Sequence, residues 1–157
     1  WANSEDIAEA SAQVQKNRLR PEYQKRRKRN LELREKKQKC YQEEFLQHVL
    51  SFLDFHENYS REAELLARKI TDHATPVGSG TVARTERIPV IKRAEAATIA
   101  WLRHQTSGYD SMHIARIKGN RRKIRQELAR QSVSLLRKYR QGAEVSSNCP
   151  LKKCFGK

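Results

Sequence analysis

The chain has 157 residues, of which 37% are apolar, 7% aromatic and 32% charged, and its formal net charge is +15. This length allows one modest domain with an extension. The apolar content is too low for every segment of the chain to pack into a hydrophobic core. No apolar run approaches the length of a membrane span, so we expect no membrane-spanning segment.

The excess positive charge is concentrated in two runs. Residues 22–39 hold nine Lys and Arg against three acids, and residues 116–140 hold ten against one. The remaining fourteen bases and fourteen acids cancel. Two concentrated positive surfaces on a neutral body indicate a polyanionic partner. Neither run carries Trp, Phe and Leu on an opposite face, as an interfacial helix would, so we expect no membrane partner.

The first part of the chain predicts two helices divided at Pro21. The segment after Asn3 shows a helix-start arrangement and a thin apolar stripe of Ile7, Ala10 and Val14. The residue before a proline avoids helical geometry, whereas proline suits a first helical turn, so the second helix begins at Pro21. It continues without a breaker to about Phe55.

The second helix changes character midway. Its first half is basic and has too few apolar residues to bury a face. Its second half has apolar residues at helical spacing, namely Tyr41, Phe45, Leu46, Val49, Leu50, Phe52 and Leu53. We therefore expect a helix anchored through its C-terminal half, with the basic N-terminal half as a projecting arm. The alternative is a charge run that frays into solvent.

Three further helices are predicted downstream. One begins after Ser60, an Ala-rich one begins at Pro89, and a last long one ends before Gly142, a natural helix stop. Residues 107–119 predict a turn or short helix with Met112, Ile114 and Ile117 facing inward. We expect residues 143–157 to form a tail with little ordered structure of its own.

No strand pattern occurs, so the predicted fold is all-α: a small helical domain with a long basic N-terminal helix and short flexible tails. The expected parts are a basic helical arm (residues 1–40), a helical domain (residues 41–142) and a C-terminal tail (residues 143–157).

A candidate catalytic cluster lies at the end of the fourth predicted helix. It comprises Arg103, His104, Thr106, Tyr109 and Asp110. A nuclease or hydrolase would use such groups, with His104 as general base oriented by Asp110. A structural interpretation is more economical: Asp110 caps the following helix and pairs with Arg103, while Tyr109 packs. No nucleophile elbow or phosphate loop accompanies the cluster, so we expect no enzyme and keep His104, Tyr109 and Asp110 as the alternative.

No cofactor, metal or small-molecule substrate is predicted. Cys149 and Cys154 have zinc-like spacing, but no second closely spaced Cys/His pair accompanies them. The glycines around Ser79 lack the Gly-Lys-Thr signature of a phosphate loop, which favours a flexible connection.

The last helix carries the strongest functional signal. Its bases lack compensating acids apart from Glu127, and several lie at the helix N-terminus, where phosphates bind well. Arginine suits bidentate phosphate contacts better than lysine does. The predicted nucleic-acid-binding residues are Lys25, Arg26, Arg27, Lys28, Arg29, Arg84, Arg103, Lys118, Arg121, Arg122, Lys123 and Arg125.

A family resemblance covers about residues 73–151. The matching pieces are HATPVGSGTVARTERIP, AEAATIAWLRHQTSGYDSM, IKGNRRKIRQELARQSVSLLRKYRQG and the CPL at residues 149–151. Together they resemble the domain-of-unknown-function family twenty-two ninety-three, with its glycine-flanked segment and Arg84, its RH-x-x-T-x-x-YD centre and its basic closing helix. The resemblance implies that Arg103, His104, Tyr109 and Asp110 act as a unit, and it brings no assigned activity.

The sequence therefore predicts a non-catalytic RNA-binding protein, a component or assembly partner of a ribonucleoprotein such as a ribosome, with other proteins of that complex as partners. We favour RNA over DNA because a long basic helix beside a small helical body suits structured RNA. The alternatives are a DNA-binding regulator or repair factor with a nuclease-like site, and a protein adaptor whose arm pairs with an acidic helix.

An odd number of cysteines, three, favours a reducing intracellular compartment. We expect an organelle (mitochondrion or chloroplast) or the nucleus in a eukaryote, and the cytoplasm in a bacterium.

Overall fold

The computed structural model describes residues 3–155, and within that range it contains helices and turns but no strand. The helices are α1 (Ser4–Leu19), α2 (Pro21–Leu53), α3 (Ser60–Ala74), α4 (Val90–Thr106), α5 (Asn120–Arg140) and α6 (Lys152–Phe155). Single 3-10 turns occur at Glu57–Tyr59, Val82–Arg84 and Tyr109–Ser111. The all-α prediction is confirmed. No helix in residues 3–155 combines the length and apolarity needed to cross a bilayer.

The chain divides into two compact units, Trp1–Tyr41 and Gln42–Lys157. In the first unit, Arg20 has an extended backbone and separates α1 from α2, as the proline predicts. Helix α1 buries no residue: Ile7 is 59% exposed and Val14 48%. Its predicted apolar stripe is therefore too thin to form a core.

The core of the second unit is built from one face of each long helix. Phe45, Val49 and Leu53 of α2 are fully buried, as their helical spacing predicts. The other helices add a larger buried set: Leu66, Ala67 and Ile70 of α3, Ala94, Trp101 and Leu102 of α4, and Leu128, Leu136 and Tyr139 of α5. Helix α4 packs against both α3 and α5. Its alanines allow the neighbouring helices to approach closely.

Tyr139 joins α5 to the rest of this core. Its ring stacks on Phe55 at 4.9 Å between centroids and meets the rings of Tyr59 and Phe155 edge-on. Its hydroxyl lies 3.5 Å from Cys149 Sγ. Burial, followed by the contact with Cys149, raises the pKa of Tyr139 far above its usual value, so this phenol stays neutral.

Helix α5 ends as the sequence predicts. Gly142 has a φ of +64°, which disfavours any residue with a side chain. A Cβ at this position would also lie 2.7 Å from Cγ of His56. Just before this turn, Arg140 donates hydrogen bonds to the carbonyls of Phe52 and Leu53, which have no partner within α2. The C-terminal ends of α2 and α5 are thereby fixed together.

The segment after Gly142 differs from the expected tail. Val145, Cys149, Leu151 and Cys154 are buried, and Leu151 is fully buried. Lys69 donates a 2.7 Å hydrogen bond to the Cys154 carbonyl, and α6 packs against α3. The spacing of these four buried residues matches no single helical face, so no helical period predicts this packing. Contacts with distant helices order the described part of the segment, together with hydrogen bonds inside it such as that from Lys152 Nζ to the Val145 carbonyl at 2.6 Å.

The connection between α4 and α5 also differs from expectation. Beyond the Tyr109–Ser111 turn it forms no helix, and Met112 and Ile117 are 43% and 67% exposed. The backbone is already extended at Met112, which breaks the helical spacing on which the inward prediction depended. Only Ile114 is half-buried.

Candidate nucleic-acid interface

The start of α5 presents a dense set of exposed bases. Gly119, with a φ of +90°, turns the chain into the helix, and the Lys123 amide donates to the Gly119 carbonyl at 3.0 Å. The first turn contains no acid. Four exposed bases surround it, and we call them the α5 basic turn: Lys118, Arg121, Arg122 and Lys123.

This arrangement is unfavourable for an isolated helix. The N-terminus of a helix carries partial positive charge, so bases there are repelled. Within residues 3–155 the α5 bases form one ion pair, Arg130 with Glu127 at 3.4 Å. The basic turn therefore has an uncompensated positive field, which an anion at the same place would neutralise.

A second group of polar side chains lies where α4 ends. His104 Nδ1 is 2.5 Å from Asp110 Oδ1, and His104 Nε2 is 3.3 Å from Arg103 Nη2. These partners match the tautomer in which Nδ1 carries the proton and donates to Asp110, while Nε2 accepts from Arg103. The expected Arg103–Asp110 pair is thus replaced by a chain that runs through His104. Asp110 lies within a 3-10 turn instead of capping a long helix.

Tyr109 connects this group to α5. Arg125 Nε donates to the Tyr109 hydroxyl at 2.9 Å, and the Arg103 guanidinium lies over the Tyr109 ring at 4.8 Å from its centroid. The His104 ring meets the same ring edge-on at 5.3 Å. Two guanidinium groups therefore contact one tyrosine, and the only carboxylate in the group, Asp110, is bonded to His104. We call these residues the tyrosine cluster: Arg103, His104, Tyr109, Asp110 and Arg125.

The tyrosine cluster offers limited chemistry. His104 and Asp110 form an oriented acid–base pair, but both side chains are well exposed. The neighbouring hydroxyls are occupied, since Thr106 donates to the Leu102 carbonyl at 2.7 Å and Ser107 to the Arg103 carbonyl at 2.5 Å. In the described part of the chain, no three His, Cys, Asp or Glu side chains form a group that could hold a metal ion.

Other predicted residues have structural contacts. Arg84 is half-buried and donates to the carbonyl of Thr75. In the glycine segment between them, Ser79 and Thr81 donate to the Ala74 carbonyl at 3.2 Å and 2.6 Å. The loop therefore closes the C-terminal end of α3, in agreement with the predicted connection. Its Arg84 supports this turn, in contrast to the exposed bases of α5.

The arm residues Lys25–Arg29 belong to the first unit, and all five are exposed on α2. The sequence interpretation treated them as one undivided run of charge. The structure shows that one face of this segment lines an open pocket with a volume of about 470 Å³. The lining residues are Tyr23, Arg26, Arg27, Asn30, Leu31 and Arg34. Asn30 and Arg34 were missed, although their spacing from Arg26 and Arg27 places them on one helical face.

Fold and site together define an all-α protein with a basic helix, a tyrosine-centred polar cluster and a basic arm. Residues 54–140 match the model of the family described as an uncharacterized conserved protein (DUF2293). The match covers more than half of the chain, so the chain belongs to this family, as its motifs predicted. No curated protein and no solved structure matches the chain.

Proposed function

We propose that the chain is a non-catalytic RNA-binding protein that contacts backbone phosphates through the α5 basic turn and the basic arm of α2. The observation that supports this most is the set of exposed bases at the positive end of α5, where no carboxylate within residues 3–155 compensates them. Each base that neutralises a phosphate releases a condensed counterion, which gives such a surface its affinity.

The length of α2 favours RNA within a large assembly. At 1.5 Å per residue, the part of α2 within the first unit, residues 21–41, extends about 30 Å. A basic helix of this length can reach between segments of folded RNA in a ribonucleoprotein such as a ribosome, beside other proteins of that complex. The described cysteines, Cys40, Cys149 and Cys154, are free thiols, which suits the reducing intracellular compartment proposed here.

Titrating salt tests the proposal. With five or so phosphate contacts, affinity for a structured RNA should fall by at least about a hundredfold between 50 and 200 mM monovalent salt. Fluorescence anisotropy with a labelled hairpin RNA measures this dependence. An affinity that barely changes over the same range contradicts phosphate binding.

A nuclease is the second candidate, and the 2.5 Å contact between His104 and Asp110 favours it. If the pair acts as a general base, His104→Ala should abolish cleavage of RNA or DNA and leave binding intact. If the role of the pair is structural, His104→Ala should lower the free energy of unfolding by roughly 1 kcal/mol. Neither the unchanged chain nor the variant should then cleave RNA or DNA. His113→Ala, an exposed histidine in the adjacent loop, is the matched control. Turnover by the unchanged chain that His104→Ala removes would favour the nuclease.

A further inference from the structure

The tyrosine cluster contains hydrogen-bond donors that the fold does not use. The Tyr109 hydroxyl accepts a 2.9 Å hydrogen bond from Arg125 Nε, so its own proton needs a separate acceptor. Within residues 3–155 no side chain or carbonyl accepts that proton. The two terminal nitrogens of Arg125 likewise have no partner there. The hydroxyl and the guanidinium therefore offer several unused donors at one place.

Arg103 adds further donors from α4. Its guanidinium lies over the Tyr109 ring, 4.8 Å from the centroid, and its Nη2 atom is 3.3 Å from His104 Nε2. Its Nε atom is buried and has no hydrogen-bond partner in the described part of the chain. A buried donor without a partner costs free energy, and folded proteins contain few of them. Contacts with Tyr109 and His104 thus hold in place a guanidinium whose hydrogen-bonding capacity is largely unused.

The carboxylate of the cluster does not pair with these guanidinium groups. Asp110 Oδ1 lies 2.5 Å from His104 Nδ1. Among residues 3–155, neither Arg103 nor Arg125 forms an ion pair. The cluster therefore keeps two guanidinium charges beside a hydroxyl donor. Guanidinium groups bind the oxygens of phosphates through strong, charge-assisted hydrogen bonds.

The position of the cluster indicates the source of such an anion. Arg125 lies four residues after Arg121 of the α5 basic turn, so the two share one side of α5 and lie about 6 Å apart along its axis. An RNA strand on the basic turn would bring a neighbouring phosphate close to Tyr109. Resting on the proposed RNA-binding function, we infer that the tyrosine cluster is a binding site for one phosphate group of the RNA. The Tyr109 hydroxyl donates to its oxygens, together with the guanidinium groups of Arg103 and Arg125.

This site differs from the α5 basic turn in the kind of interaction. The basic turn consists of exposed bases, whose attraction for RNA depends on their charge. In the tyrosine cluster, a neutral hydroxyl and planar guanidinium groups contribute through their geometry. Substitutions that preserve the charge of the cluster should therefore still weaken RNA binding.

Tyr109→Phe tests the hydroxyl in the full chain, with a labelled hairpin RNA as the probe. The variant keeps the ring that contacts Arg103 and His104 and removes one donor to the phosphate. Affinity should fall about tenfold, because a hydrogen bond to a charged group is a strong one. The slope of log affinity against log salt should stay unchanged, since no charge is lost.

Tyr59→Phe is the matched control in the same unit. The Tyr59 hydroxyl donates to the Ala143 carbonyl at 2.8 Å, so it serves the fold. Its removal should lower the melting temperature and leave the affinity for RNA unchanged. Equal losses of affinity in the two variants would overturn the inference.

Arg125→Lys is a second test that preserves charge. Lysine cannot reproduce the planar guanidinium, so affinity should fall about fivefold with the salt slope unchanged. Arg130→Lys is its control on the same helix, because Arg130 is exposed and pairs only with Glu127 within residues 3–155. This control should change the affinity by less than about twofold.

The source of the phosphate is resolved by using the hairpin with a 5′-hydroxyl and with a 5′-phosphate. Equal affinities assign an internal phosphate to the cluster. Tighter binding of the 5′-phosphate, removed by Tyr109→Phe, assigns a terminal one.

The inference is overturned if Tyr109→Phe binds both hairpins as the unchanged chain does. It is also overturned if Tyr109→Phe weakens the binding of polyglutamate as much as that of RNA, because the cluster would then bind the carboxylates of a protein. In the first case a retained salt slope with RNA leaves the proposed function standing. An RNA affinity of the unchanged chain that does not depend on salt would instead contradict the proposed function.

Discussion

Glutamine at all four positions of the α5 basic turn is expected to weaken binding of structured RNA by roughly a hundredfold to a thousandfold near physiological salt. Four phosphate contacts would be lost, so the slope of log affinity against log salt should fall by about three to four. Anisotropy titrations of one labelled hairpin RNA at four or five salt concentrations give both quantities. The arm remains intact in this variant and should retain weaker binding.

The same variant should fold normally. The four bases are exposed and have no ion pair within residues 3–155, so glutamine removes no internal contact. Removing cations from the positive end of a helix should stabilise it slightly. Weaker RNA binding with an unchanged or slightly higher melting temperature would therefore show that these charges bind RNA and do not stabilise the fold.

The matched control changes the net charge equally at other exposed sites of the same unit. These sites are Arg61, Arg68, Arg87 and Lys153. Glutamine at these four positions should cost less than about tenfold in affinity, because only the general attraction of the protein for RNA is reduced. Equal losses in the two variants would show that total charge, and no particular surface, governs binding.

The helix boundaries could be predicted because their signals are local. Pro21 ends one helix and begins the next, and Gly142 stops α5 through its own backbone geometry. The apolar spacing of Phe45, Val49 and Leu53 also predicted their burial, because a helical period fixes which residues share a face.

Long-range contacts account for what the sequence did not predict. Arg84 and Arg140 have the same charge as the bases of the α5 basic turn, yet both donate to backbone carbonyls of other segments. Counting charge cannot distinguish a base that closes a helix end from one that faces a partner. The partner of Asp110 could not be predicted either, because Arg103 and His104 are adjacent in the sequence and either one could reach the carboxylate. The structure shows that the partner is His104.

Leu151→Ala is expected to lower the free energy of unfolding by about 3 kcal/mol. Leu151 is fully buried, and replacement of a buried leucine by alanine loses the transfer energy of its methyl groups and leaves a cavity. For a domain of this size the melting temperature should fall by roughly 10 °C. Urea unfolding followed by circular dichroism at 222 nm measures the change.

The control is Lys153→Ala, because this neighbouring side chain is exposed and should change stability by less than about 0.5 kcal/mol. If residues after Gly142 formed a tail, the two substitutions would be equally harmless. Leu151 follows the C-terminal end of α5, whereas the α5 basic turn lies at the N-terminal end of this 21-residue helix. Below its melting temperature, Leu151→Ala should therefore bind RNA with unchanged affinity and salt slope. A loss of RNA affinity in the folded variant would show instead that the C-terminal segment belongs to the binding surface as well as to the core.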